Sequence, residues 1–472
     1  MRLAQLFAIL SAMLGAALWA ADARASTLSV LGASGKVCQL TGETDWFGGQ
    51  PTNAKTLTNY GLKGVDLGFP VESDTGQLLF LFGDTDPNDH PNTNPQPPPT
   101  VPPDDAVGFT TRITPPDAAT CLDMKLFTPL AGTLSRPRVM PAIQQGSFNV
   151  PTGGIDVLGQ LYAFFWTNHC VFPDPVLPNS AAPLTLPPQG PLCLEFALNN
   201  SIGLGILTAA TSSSKPVTWA QVSPQPILPN GFVYVTAAQP PVRRLFPIPR
   251  GHGRLAPPPP IPVFGVARYR ASIPYLALAP RRSFGDVTSW SFYAGTNAQG
   301  PTWVSYSQWQ SGQMNGQWAP PAGAELYANS PNANSNTQDE RCVGEHSVTW
   351  NEPLGVWLML YSCGSAEVEA RTAPQPWGPW SSPTVILSAV QDPTLNCTLF
   401  WDWKGGACPS PLKSQQIPSL TFGYFYAPYV LSRFTKSVPV ASPLKSAQIY
   451  WLLSTWDPYQ VTVMQTTLQL AP

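Results

Sequence analysis

Two aspartates, Asp66 and Asp84, lie on either side of a predicted β-hairpin and are the residues in this sequence best suited to chemistry. Two largely apolar runs, residues 64–70 and 78–85, flank the sequence Ser-Asp-Thr-Gly at 73–76. Aspartate and glycine are favoured in tight hairpin turns. A turn centred near Thr75 places Asp66 opposite Asp84, with a slip of one residue still open.

Such a pair of carboxylates suits hydrolysis of a glycosidic bond. Directly opposed residues have Cβ atoms about 4.5–5.5 Å apart, where like charges destabilise a sheet. At that range one carboxyl can hold a proton that the other cannot, so one protonates the leaving oxygen while the other activates water or attacks the anomeric carbon. The alternative is structural: Asp66 caps a strand and Asp84 is an ordinary turn residue. The sequence leaves the stereochemistry and the division of roles open.

Residues 1–25 are predicted to be a secretory signal peptide. An apolar segment runs from about Leu6 to Trp19 and is followed by Ala23-Arg24-Ala25, an A-x-A cleavage site. No later apolar run approaches the roughly 20 residues that a membrane span needs. We therefore expect a secreted or periplasmic mature protein, from about Ser26, with no membrane span.

Eight cysteines in an exported chain predict disulfides. Cys342 and Cys363 lie symmetrically about a turn at 351–354, so we expect them to bridge neighbouring strands. Local pairs Cys397–Cys408 and Cys170–Cys193 would leave Cys38 to pair with Cys121. The chain has no Cys-x-x-Cys and only 4 scattered histidines, so neither a metal site nor a cofactor is expected.

The charge pattern argues against nucleic acid as a partner. Only 11% of residues are charged, the formal net charge is −2, and no basic cluster occurs. The expected partner is a polysaccharide substrate, and we expect a monomer.

Composition and repetition predict an all-β fold. The chain contains 56 prolines and 37 glycines, which break helices and favour short strands joined by irregular loops. A strand, a turn and an aromatic-rich strand recur five times, starting near residues 64, 153, 264, 344 and 424, with glycine in the turn of the first, second and fourth units. Most units continue with a third strand and a tryptophan. This order predicts a five-bladed β-propeller. An irregular β-sandwich is the alternative, but it would not explain the repeated order.

The propeller is predicted to be a single domain spanning residues 26–472. Its repeat is interrupted by proline-rich inserts at about 87–103, 172–191 and 240–262, which we interpret as loops on one face. The segment Thr27–Leu40 is a candidate for a strand that closes the last blade.

Four further residues are candidates for binding substrate. Glu345 precedes Gly355 by the same interval as Asp66 precedes Gly76, so it is predicted to face the same central channel. A structural ion pair with Arg341 or His346 is the alternative.

The other three candidates come from the third and fifth units. Arg268 lies on the predicted first strand of the third unit, where it could donate to substrate hydroxyls or form a buried ion pair with Asp66 or Asp84. Trp456 and Tyr459 follow the second strand of the last unit, where they could stack on a sugar or pack between blades.

Several short motifs carry a resemblance to a known family. They are Leu40-Thr41-Gly42-Glu43, Gly64-Val65-Asp66-Leu67-Gly68, Leu81-Phe82-Gly83-Asp84-Thr85, Gly344-Glu345-His346-Ser347-Val348, Arg371-Thr372-Ala373 with Gly378-Pro379-Trp380-Ser381, and Leu453-Ser454-Thr455-Trp456. Together they resemble the bacterial propeller family that includes endo-D-arabinanases acting on mycobacterial arabinan.

The resemblance implies a five-bladed fold, a catalytic pair at Asp66 and Asp84, and endo-hydrolysis of α-linked D-arabinofuranose in arabinogalactan or lipoarabinomannan. The sequence departs from the family pattern in its proline-rich inserts and at 426–429, where glycine-rich sequence is more usual. The rival is a non-catalytic glycan-binding propeller of the cell envelope. A lyase or esterase is disfavoured because no Gly-x-Ser-x-Gly elbow occurs.

Overall fold

The computed structural model describes most of the predicted domain. The described residues are 27–86, 104–127, 149–167, 204–208, 219–221, 228–241, 258–267, 269–314, 317–329, 340–364, 367–392, 395, 397–399, 423–456 and 458–472. The predicted signal peptide, the inserts at 87–103 and 172–191, most of the third insert and Arg268 lie outside them. The third insert was predicted to reach Pro262, but Ile261 and Pro262 already pair with Ala279 and Leu278 in a sheet.

Strands dominate the described residues, as predicted. They are β1 Thr27–Val30, β2 Gly35–Gln39, β3 Gly64–Glu72, β4 Leu78–Asp86, β5 Asp104–Thr110, β6 Lys125–Leu126, β7 Asn149–Val157, β8 Gln160–Thr167, β9 Leu204–Thr208, β10 Trp219–Gln221, β11 Tyr234–Ala237, β12 Ile261–Val266, β13 Tyr275–Ala279, β14 Ser291–Asn297, β15 Gly300–Ser305, β16 Gln313–Met314, β17 Gln317–Trp318, β18 Val343–Asn351, β19 Val356–Cys363, β20 Glu367–Ala373, β21 Thr384–Ser388, β22 Tyr424–Val430, β23 Lys436–Ser437, β24 Lys445–Trp456 and β25 Gln460–Ala471. Two short helices, α1 Thr56–Tyr60 and α2 Tyr306–Gln310, accompany them.

The strands form five antiparallel sheets of four or more strands. Four of these sheets are built in chain order from β3–β6, β7–β10, β11–β15 and β18–β21. The fifth contains β22, β24 and β25, extended by β1, β2 and β23, and a separate hairpin joins β16 to β17. Predicted turn glycines fit this pattern, because Gly76 and Gly355 adopt φ of 83° and 71° between the first two strands of their sheets.

The first strands of the five sheets form a ring. β3 contacts β7, β7 contacts β11, β11 contacts β18, β18 contacts β22, and β22 returns to β3. Radial repetition of this kind is the propeller architecture, so the all-β propeller prediction is confirmed. Five sheets is the predicted number, while the total blade count stays a prediction because it also depends on residues outside the described ranges.

The two ends of the chain meet in the fifth sheet. Thr27 pairs with Ala471 and Gly35 pairs with Gln465, which places β1 and β2 on β25. The predicted role of Thr27–Leu40 is therefore borne out. Disulfides join Cys38 to Cys121 and Cys342 to Cys363, as predicted, whereas the other two proposed pairings involve cysteines outside the description.

Large apolar side chains fill the sheets and the spaces between them. Among the described residues, five tryptophans are fully buried: Trp46, Trp290, Trp309, Trp357 and Trp451. These aromatic side chains therefore serve the core rather than a binding surface. Within the described chain, no helix has the length and apolarity to cross a bilayer.

Candidate functional site

Charged and phenolic side chains from the first strands converge at one end of the ring. Asp66 comes from β3, Glu345 and His346 from β18, Tyr426 and Tyr429 from β22, and Tyr234 from β11; Tyr269 and Arg270 follow β12. All except Tyr269 and Arg270 are buried. Such a concentration of ionisable groups in a propeller channel is the arrangement expected of a functional centre.

Asp66 is held by a tyrosine of the fifth sheet. Asp66 is only 6% exposed, and Tyr426 Oη donates a hydrogen bond of 3.0 Å to its Oδ2. Burial, and then the negative charge of Asp66, raise the pKa of Tyr426 well above its ordinary value. The phenol therefore stays protonated and acts as a donor to the carboxylate.

The register around Asp66 differs from the prediction by one residue. Asp66 pairs with Gly83, not with Asp84, because β-bulges lie on both sides of it. Leu67 and Gly68 within the bulge have φ of 60° and 78°. The extra residue that a bulge inserts shifts the pairing and re-aims nearby side chains. Asp84 follows Gly83 directly in β4, so the two aspartates lie on adjacent strands, offset by one position.

A buried serine from the fifth sheet supports this bulge. The Leu67 amide donates a 2.8 Å hydrogen bond to Ser454 Oγ, and Ser454 Oγ donates back to the Leu67 carbonyl at 3.5 Å. The bulge in β22 uses the same device, since the amide of Ala427 (φ 55°) donates to Ser362 Oγ at 3.1 Å. In both cases a hydroxyl from the neighbouring sheet replaces a lost ladder hydrogen bond.

Glu345 lies across the ring from Asp66 and pairs with an arginine that the sequence analysis missed. Tyr269 Oη donates to Glu345 Oε1, and Arg270 Nη2 lies 3.5 and 3.4 Å from its two carboxylate oxygens. The basic partner is thus Arg270, rather than Arg341 or His346. Arg268, the predicted residue, lies outside the described residues. Both arginines occur in Arg268-Tyr269-Arg270, so only the backbone geometry could tell them apart.

The backbone at Arg270 is held in an unusual conformation. Its φ is 55°, and its amide donates to the Val343 carbonyl at 2.9 Å. The guanidinium lies 4.8 Å from the centre of the Tyr269 ring. Left-handed backbone at a non-glycine residue is costly and is concentrated at functional sites. Leu67, Arg270 and Ala427, three such residues, all adjoin this site.

Two tyrosines fill the space between the carboxylates. Tyr234 and Tyr429 share a hydrogen bond between their hydroxyls. Burial, then the charge of Glu345 and more weakly that of Asp66, raise the pKa of Tyr429. Tyr429 therefore lies within electrostatic reach of both acids. The tyrosines were missed as site residues, although the aromatic run at 424–429 was the available signal.

Trp456 and Tyr459 have different environments. Trp456 is partly exposed and stacks on Tyr424, with ring centroids 5.5 Å apart and planes at 15°. Tyr459 is 4% exposed, and a Cβ added to Gly64 would lie 2.6 Å from its Cδ1. Tyr459 is thus packed against β3, and this burial favours the packing role over sugar stacking. Tyr424 in turn lies 5.9 Å from Tyr426, which connects Trp456 to the surroundings of Asp66.

The opposite end of the first strands encloses a cavity of about 140 Å³. Its lining includes Glu72, Asp156, Gln239, Trp350 and Ser432, together with apolar residues. Asp156 accepts hydrogen bonds from Ser73 Oγ and the Asp74 amide at 3.2 and 3.0 Å, which fixes the turn between β3 and β4. Asp156 therefore has a structural role in this turn. The cavity is separated along β3 from the carboxylates at the other end.

Comparison with known proteins identifies one matching family model. Residues 260–465 match the family described as a domain of unknown function, DUF4185. The matched range includes Glu345, Tyr426 and Trp456, while Asp66 and Asp84 precede it. No curated protein matches the chain significantly.

Several solved structures are similar at low identity. A presumed hydrolase from Bacteroides ovatus is 9% identical, with 87% of each chain covered and a TM-score of 0.44. An exo-β-1,3-galactanase from Phanerochaete chrysosporium is 9% identical over 91% of this chain and 64% of its own, with a TM-score of 0.30. A sialidase from Trypanosoma rangeli is 8% identical over 94% of this chain and 60% of its own, with a TM-score of 0.32.

Proposed function

We propose that the protein is an exported glycoside hydrolase that cleaves α-linked D-arabinofuranose within arabinan chains. The observation that carries the proposal is the carboxylate of Asp66, held by Tyr426 at one end of the strand ring, with Asp84 one position out of register on the adjacent strand. This pair of acids is the minimum that hydrolysis of a glycosidic bond requires. The resemblance of its motifs to endo-D-arabinanases supports the choice of substrate.

In this mechanism, one aspartate protonates the leaving oxygen and the other acts on the anomeric carbon, either directly or through water. Direct attack requires carboxyl groups about 5–5.5 Å apart and gives retention, whereas about 6.5–9.5 Å leaves room for water and gives inversion.

The remaining residues suit a neutral, hydroxyl-rich ligand. Glu345 supplies acceptor oxygens and Arg270, with a side chain 21% exposed, supplies donors at the same place. Sugar hydroxyls both donate and accept, so an adjacent acid and guanidinium can bind them without requiring a charged substrate. Trp456 offers an aromatic surface on which a furanose ring can stack.

A non-catalytic glycan-binding propeller is the second candidate. The observation in its favour is the burial of Asp66, because a carboxylate that is 6% exposed can also serve the fold. The two candidates differ in one measurable property: only a hydrolase releases new reducing ends from the polymer.

The test measures reducing-end release from purified mycobacterial D-arabinan, with plant L-arabinan alongside. We expect wild-type protein to cleave the D-polymer, and Asp66→Asn or Asp84→Asn to lower the rate by a factor of about 10²–10⁴ with folding intact. Asp286→Asn is the matched control, because Asp286 is an exposed aspartate that caps a short 3-10 helix between β13 and β14. Folded protein that binds arabinan without cleaving it would favour the binding propeller.

A further inference from the structure

We propose that Tyr426 is a positioning residue that keeps Asp66 ionised and fixed in orientation, so that Asp66 serves as the base or nucleophile. This inference rests on the proposed hydrolase function and assigns to Asp66 one of the two roles that the sequence leaves open. It follows from the direction of one hydrogen bond and from the backbone on either side of it.

The phenol is the donor in this hydrogen bond. Tyr426 Oη donates to Asp66 Oδ2 at 3.0 Å, and an ionised carboxylate can accept it. Burial raises the pKa of Tyr426, so its hydroxyl remains a donor throughout the pH range in which glycosidases work. A donor aimed at a carboxylate favours the ionised form over the protonated one. Tyr426 therefore stabilises the negative charge on Asp66.

Both ends of this hydrogen bond are fixed by bulged backbone. On the aspartate side, Ser454 holds both the amide and the carbonyl of Leu67, the residue after Asp66. On the tyrosine side, Ser362 holds the amide of Ala427, the residue after Tyr426. The carboxylate and the phenol are thus presented to each other by two separately supported segments, so that their contact is preorganised.

Titratable groups from several elements surround Asp66. Tyr426 and Tyr429 on β22 interact electrostatically with its carboxylate, and Asp84 follows Gly83 on the adjacent strand β4. Glu345 on β18 lies beyond Tyr429, with Arg270 beside it as a counter-ion. The phenolic donor on Oδ2 favours the charged form of Asp66, so this carboxylate is available as a base or nucleophile.

The decisive experiment compares pH–rate profiles of wild type, Tyr426→Phe and Tyr450→Phe on D-arabinan. A base that loses a stabilising donor titrates at higher pH, so we expect Tyr426→Phe to move the acid limb upward by about one pH unit, a tenfold loss of rate below that limb. The alkaline limb should stay in place. Tyr450→Phe is the control, because Tyr450 is a buried tyrosine of the same sheet whose hydroxyl donates to Gln448.

Two results would overturn the assignment. An acid limb in the same place for Tyr426→Phe and wild type would show that the phenol does not control Asp66. An upward movement of the alkaline limb alone would show that Asp66 is the acid, because the alkaline limb reports the group that must be protonated.

A second measurement does not depend on catalysis. Infrared titration of the carboxyl bands, taken as the difference between protein with Asp66 and with Asp66→Asn, reports the ionisation of Asp66 directly. We expect its midpoint to rise by about one pH unit when Tyr426→Phe is introduced into both members of the pair. If arabinan is not cleaved but the midpoint rises, the proposed function fails and the control by Tyr426 stands. An unchanged midpoint refutes that control.

Discussion

Two acid–arginine pairs near β18 differ in the burial of the arginine and in how many hydrogen bonds it makes. Arg371 on β20 is 2% exposed and lies 2.8 Å from Glu340 through Nη2. Its Nε donates to Tyr361 Oη at 2.9 Å and its Nη1 to the Ser381 carbonyl at 2.8 Å, while the guanidinium covers the Tyr327 ring at 3.7 Å. Arg270 instead approaches Glu345 at 3.4 Å and is 21% exposed.

The difference separates a structural cross-link from a site that can exchange partners. Each nitrogen of the Arg371 guanidinium already has an oxygen at ideal hydrogen-bonding distance. A ligand could therefore bind there only by breaking existing hydrogen bonds. The contact between Arg270 and Glu345 is longer than an ideal charged hydrogen bond. Both side chains can therefore form shorter hydrogen bonds with the hydroxyl groups of a bound sugar. Similar residue types thus take different roles according to distance and exposure.

Removing Arg371 should have the largest effect on stability. Arg371→Met leaves Glu340 buried without this cation. Tyr361, which donates to Glu369 at 2.6 Å, also loses the hydrogen bond that it accepts from Arg371. Breaking a buried pair in this way costs about 3–5 kcal/mol, measurable as a lower urea midpoint. Arg112→Met is the control and should cost much less, because its partner Asp117 is half exposed. Equal losses in the two variants would contradict the cross-link.

Lowering the pH should destabilise the folded protein through His346. Burial lowers the pKa of this histidine to about 4, against 6.5 when exposed. Between these values the unfolded chain binds a proton that the folded chain does not, so stability falls as pH falls through this window. The full contribution is about 3 kcal/mol. The stability of wild type should therefore decline more steeply from pH 6.5 to 4 than that of His346→Gln, and parallel curves would refute this.

Neutralising Glu345 should affect activity more than stability. Glu345→Gln keeps the side-chain volume but loses a charged acceptor, and hydrogen bonds to charged groups are worth about 1.5–3 kcal/mol, or a 10- to 100-fold loss of kcat/KM on arabinan. We expect the loss chiefly in KM. Glu352→Gln is the control, since Glu352 is on the turn at the other end of the same strand. A large drop in melting temperature with unchanged kinetics would show that Glu345 has a structural role, like Glu340 in its pair with Arg371.

Local signals explain most of what the sequence predicted correctly. The Ser73–Gly76 turn and the placement of Cys342 opposite Cys363 depend on residues within one hairpin, and both hold in the structure. The repeated aromatic pattern likewise identified the first two strands of four sheets. In the third sheet the prediction was wrong by one strand, because the unit starting near residue 264 corresponds to β12 and β13, and the innermost strand β11 was missed. Such features depend on turn chemistry and alternation, which a short stretch of sequence contains.

The details of the site depend on contacts between distant residues. The shift that pairs Asp66 with Gly83 is supported by Ser454, 387 positions away in the chain. Arg270 approaches Glu345 from a segment with left-handed backbone, whose amide pairs with Val343. Neither a bulge nor a positive φ at arginine has a sequence signature comparable to that of glycine, so hairpin symmetry alone could not locate them.

The pairing of Thr27 with Ala471 has a consequence for the order of assembly. The fifth sheet needs both ends of the chain, and contacts between such distant segments form late because loop closure is entropically costly. That same sheet supplies Tyr426 and Ser454, the groups that hold Asp66 and its bulge. A partly folded chain therefore lacks a correctly supported Asp66. Asp66 is correctly supported only after the ring of sheets has closed. Activity at the candidate active centre would therefore indicate that the chain is completely folded.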